Sequence, residues 1–103
     1  MKTKCFKLVD GDEIIADVTN ETGEFSGLKN PMMLTIVGEG QLAMYPWLPL
    51  ADKQEHILEH RNVLIEYTPN AQLVSGYKQR TGGIVTAPAG ILNKGVLSDW
   101  ENS

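Results

Sequence analysis

Apolar and polar positions alternate with a period of two from Lys4 to Thr68, the period of a β-strand, and this rhythm is repeatedly cut by turn residues. From Lys4 to Val9, Phe6 and Leu8 fall on one face and Lys7 on the other. Asp10-Gly11 follows, a pair that accepts positive φ and marks a tight turn. Glu13 to Thr19 alternates again, with Ile14, Ala16 and Val18 on one face, so the two segments predict an antiparallel hairpin. Asn20-Glu21-Thr22-Gly23 predicts the next turn, because these side chains bond their own backbone or tolerate left-handed geometry.

A third strand is expected within Glu24 to Val37, with Leu28, Met32, Leu34 and Ile36 at even spacing and Asn30 on the same face. Pro31 has no N–H to give to a ladder, so regular pairing is expected to break near Asn30. Gly38-Glu39-Gly40 reads as a turn, and Gln41 to Trp47 as a fourth strand ending at Pro46 and Pro49. Glu55 to Glu59 and Val63 to Thr68 predict a last antiparallel pair pivoting at His60-Arg61-Asn62. Asn70 is placed to cap a short helix over Ala71 to Arg80, with Leu73 and Tyr77 on one side and Gly82-Gly83 as the stop. Gly76 costs that helix about 1 kcal/mol relative to Ala, so it needs packing to persist.

Five or six short strands with tight turns predict a mainly β chain: one small, strongly bent antiparallel sheet closing into a barrel, with a short C-terminal helix. The expected organisation is a β-barrel over residues 1–70, a helix and extension packing on it over 71–92, and a flexible tail over 93–103. At 103 residues one domain is expected.

Composition narrows the class further. A 42% hydrophobic and 21% charged chain belongs among ordinary globular domains. No apolar run approaches the ~20 residues of a membrane-spanning helix, and the basic N-terminus lacks the apolar stretch of a secretory signal. Cys5 is the single cysteine, so no internal disulfide can form, and a cytoplasmic location is expected. The net charge of −4 counts against a surface that tracks phosphate throughout, while leaving room for a local basic site.

Two separated segments carry a likeness to a known family. Leu8, Gly11, Ile14, Val18 and Asn30 resemble the first part of the Sm/LSm signature, and Leu58, Arg61, Asn62, Val63 and Ile65 resemble the second. The likeness covers Phe6 to Tyr67, and small phage-encoded Sm-like proteins are similar in layout, including the Met44-Tyr45-Pro46-Trp47-Leu48-Pro49 segment. The chain departs from the family where Asn62 follows Arg61 with no Gly between, where Ala16 stands for a Gly, and where the helix follows the barrel instead of preceding it. The resemblance implies an Sm-like (SH3-like) barrel and a homo-oligomeric ring joined through late edge strands. It also implies single-stranded RNA, or DNA, held by loops around the central hole. Asn30, with neighbouring Lys29, is then expected to meet a base edge, Arg61 to stack on the base, and Asn62 to support the loop, with His60 beside them.

Tyr45 and Trp47 are further candidates for base stacking, although aromatics beside prolines more often anchor loops. Arg61 could equally pair with Glu59 or Glu66, and Asn30 could serve the backbone of a bulge. His56 and His60 lie four apart, but in a strand and without a third ligand, so neither a metal nor another cofactor is expected. Phosphate-binding loops and nucleophile elbows are absent, so the chain reads as a non-enzyme. The alternative function is a structural or protein-interaction module on the same fold, for instance a phage or host assembly factor, without nucleic-acid affinity.

Overall fold

A computed structural model describes residues 2–82 of the chain; the expected extension and tail after Gly83 lie outside the described residues. The elements are β1 (Lys2–Leu8), β2 (Glu13–Glu21), β3 (Phe25–Val37), β4 (Gln41–Pro46), β5 (Glu55–Glu59), a 3-10 turn (His60–Asn62), β6 (Val63–Tyr67) and α1 (Ala71–Thr81). The strands form one six-stranded sheet in which β4-β3-β2-β1-β6 are successive neighbours and β5 pairs with β3. The described pairings run antiparallel, and they leave the sheet open. No described helix is long and apolar enough to cross a membrane.

The chain divides into two compact units. One comprises Met1–Met33 and Pro46–Pro69, the other Leu34–Tyr45 and the chain from Asn70. In the first unit the β1–β2 hairpin forms as the pattern requires. Gly11 takes φ 98°, a value that costs an L side chain strain, and Asp10 Oδ1 accepts from the Asp12 amide at 2.9 Å to close the turn. Phe6, Leu8, Ile14, Ala16 and Val18 do share a buried core, joined by Leu28 and Leu58, with Met33, Trp47 and Val63 packed against it.

Three sequence expectations need correction. The even spacing of Leu28 and Met32 does not survive the bulge at Asn30. Asp17 pairs with Lys29 and Ile15 with Met32, so Ala16 alone on β2 opposes both Asn30 and Pro31. The extra residue shifts the side-chain phase by one: Met33, paired with Ile14, packs against the Phe6–Ile14 core cluster, while Met32, paired with Ile15, is buried outside that cluster. Asn30 itself adopts φ 54°, the left-handed region that Asn tolerates better than most residues.

The second correction concerns β5 and β6, which do not pair with each other. β5 runs beside the start of β3, with Phe25 opposite Glu59 and Lys29 opposite Glu55. β6 runs beside β1, with Cys5 opposite Tyr67. The 3-10 turn redirects the chain between two different strands, because none of its residues takes the positive φ that a two-residue hairpin demands. The third is that β1 and β2 are buried on both faces: Cys5 and Ile15 are as inaccessible as Phe6 and Ile14. Burial pushes the Cys5 thiol up to about 11, and the adjacent Tyr67 hydroxyl donates to Glu13.

In the second unit, Gly38 and Gly40 both take positive φ in the turn between β3 and β4. Asn70 caps α1 by accepting from the Leu73 amide at 2.8 Å, and Tyr77 is fully buried. Arg80 ties the last turn of α1 to β4 by donating to the Met44 carbonyl at 2.9 Å, and desolvation lowers its pKa.

Candidate nucleotide-binding cavity

The pairing of β3 with β5 brings two turns together in the first unit. The turn from β2 into β3 is closed by Thr22, whose hydroxyl accepts from the amides of Glu24 and Phe25, each at 3.1 Å. Phe25 then pairs with Glu59, which leads directly into the 3-10 turn. The two turns flank a solvent-open cavity of about 650 Å³. Gly23, Glu24 and Phe25 line it from one side, and Ile57, Glu59, His60 and Arg61 from the other.

His60 fastens this arrangement. Its backbone N–H donates to the Glu24 carbonyl at 2.8 Å. Its Nδ1 lies 3.3 Å from the Gly23 carbonyl, which can only accept, so Nδ1 carries the proton. With the proton on Nδ1, Nε2 accepts from the fully buried Ser26 hydroxyl at 2.7 Å. A serine next to a histidine invites a catalytic reading, but Ser26 has no exposed surface through which a substrate could reach Oγ. The pair is a tie between the two turns.

Arg61 stands at the mouth, with its side chain 81% exposed, and its Nε meets Glu59 Oε1 at 2.6 Å. So open an ion pair contributes little to stability, and it fixes the guanidinium only loosely while leaving both terminal nitrogens available. The Glu24 carboxylate is in none of the ion pairs among the described residues. The rim therefore carries two carboxylates against one guanidinium.

Of the residues expected to bind, His60 and Arg61 line this cavity and the others do not. Asn62 follows on the turn, where its carbonyl accepts from the Val9 amide at 2.9 Å. Asn30 lies five residues further along β3 than Phe25, roughly 16 Å away at about 3.3 Å per residue. There its N–H donates to the Gln54 carbonyl at 2.7 Å, and Lys29 is flanked in register by Asp17 and Glu55. Trp47 packs on the core and donates its amide to the Pro31 carbonyl at 3.0 Å. Tyr45 belongs to the second unit, its hydroxyl 3.2 Å from that of Thr35.

No protein-family model matches this chain, and no curated protein matches it either. Any functional reading therefore rests on the site itself. Sequence reasoning missed Phe25, Glu24, Ser26 and Ile57, because only the register of β3 against β5 carries them to the 3-10 turn. The one local signal was the aromatic placed directly after a turn sequence. Among the described residues no group of three His, Cys, Asp or Glu side chains is arranged to hold a metal ion.

Proposed function

We propose that the chain is an Sm-like barrel that joins copies of itself through its edge strands and binds single-stranded nucleic acid, RNA in the first instance. The observation that carries this reading is the cavity between the β2–β3 turn and the 3-10 turn, which combines the Phe25 ring and the Arg61 guanidinium. Unpaired bases are held by stacking on aromatic rings and guanidinium planes, and a cavity with both suits one base. The strand order supports the Sm-like assignment: β6 beside β1, β5 beside β3, and a 3-10 turn between them. The rim of the site is not basic, so a useful affinity would come from several copies acting together.

A protein-interaction role without nucleic acid is the second reading, favoured by the excess of carboxylates over cations at the rim. Fluorescence anisotropy with labelled single-stranded oligoribonucleotides at several salt concentrations separates the two. Saturable binding at low salt is expected, and Arg61→Ala should weaken it by about 1–3 kcal/mol per stacked base. Absence of saturable binding at low salt would remove the nucleic-acid reading.

A further inference from the structure

We infer that this cavity selects guanine over the other bases, an inference that rests on the nucleic-acid reading above. Its polar lining holds two carboxylates, Glu59 already paired with Arg61 and Glu24 in none of the ion pairs among the described residues. Glu24 presents two acceptor oxygens and no donor. His60 is already committed through both ring nitrogens, to Gly23 and to Ser26. Arg61 spends its Nε on Glu59, and its plane is the stacking surface of the reading above.

Base edges can be sorted against that set. Guanine alone carries two adjacent donors, N1–H and N2–H, matched to the two oxygens of one carboxylate. Uracil turns a carbonyl oxygen toward the carboxylate on either side of its single N3–H, which is repulsive. Adenine and cytosine offer one amino group beside a ring nitrogen that can only accept, so a carboxylate gains one hydrogen bond and meets one lone pair. Phe25 and Ile57 supply apolar walls for the ring faces and carry no base preference of their own.

The test uses the full chain and uridine heptaribonucleotides with one central position changed to guanosine, inosine or adenosine, read by anisotropy at fixed low salt. The guanosine heptamer is expected to bind about tenfold more tightly than all-uridine. Inosine, which lacks the N2 amino group, should lose most of that gain. Glu24→Gln should bring the guanosine-to-uridine ratio close to one. Glu24 is exposed, so this variant should keep the parent's circular dichroism. Equal affinity for guanosine, adenosine and uridine heptamers would overturn the guanine assignment while leaving nucleic-acid binding standing, as would an unchanged ratio in folded Glu24→Gln. Failure of every heptamer to bind, with saturable binding of an arginine-rich peptide instead, would overturn both the assignment and the reading beneath it.

Discussion

Asn30 shows how one residue can satisfy two incompatible explanations until its backbone is known. An Asn after an apolar hairpin resembles a base reader, yet φ 54° inside a bulge also gives a conformational reason for Asn at this position. Pro31 beside it made the break in pairing legible in the sequence, since a residue without an N–H cannot continue a ladder. What could not be read was the count of residues in the bulge, which decided that Met33 packs against the Phe6–Ile14 cluster and that Met32 is buried opposite Ile15. The two explanations for Asn30 predict different variants. Asn30→Gly relieves the left-handed strain and should leave stability within about 0.5 kcal/mol, whereas Asn30→Ala should lose about 1 kcal/mol by urea denaturation. If Asn30 acts only through the backbone, Asn30→Gly also retains oligonucleotide affinity. A tenfold weaker affinity at unchanged stability would restore its reading role.

The elements were legible in proportion to how local their causes are. The β1–β2 hairpin and the Asn70 cap depend on residues a few positions apart, and both form where the sequence places them. The pairing of β5 depends on a surface tens of residues away, and the local pattern wrongly suggested β6 as its partner. The 3-10 turn owes its position to His60, which contacts Gly23 and Glu24 of the β2–β3 turn and Ser26 at the start of β3. Removing the ring would strand the buried Ser26 hydroxyl without its acceptor. His60→Ala should therefore cost about 1–3 kcal/mol in a denaturation experiment. The double variant with Ser26→Ala should cost less than the sum of the two single variants, because neither then leaves an orphan. Additive losses would show that the two turns are held by something other than this tie.

At the scale of the whole molecule, the open edges of the sheet matter most. The outer edges of β5 and β6 have no strand partner among the described residues, and Ile57, Leu64 and Ile65 stand well exposed on those strands. Monomeric proteins commonly guard such edges with lysine, proline or a covering segment. Here the one charged side chain of β6, Glu66, is drawn back to Lys4 at 2.6 Å. A second copy would complete the ladder and cover the apolar side chains together. We therefore expect light scattering at tens of micromolar to give a mass several times the 11.4 kDa of one chain. Ile65 lines no part of the cavity, so Ile65→Lys places a charge on the edge without altering the proposed site. It should reduce the mass toward that of a single chain. It should also weaken binding of a long oligoribonucleotide far more than binding of a mononucleotide, because only the long ligand spans several cavities. A single-chain mass for the parent protein would refute the assembly, and equal losses for long and short ligands would show that copies do not act together.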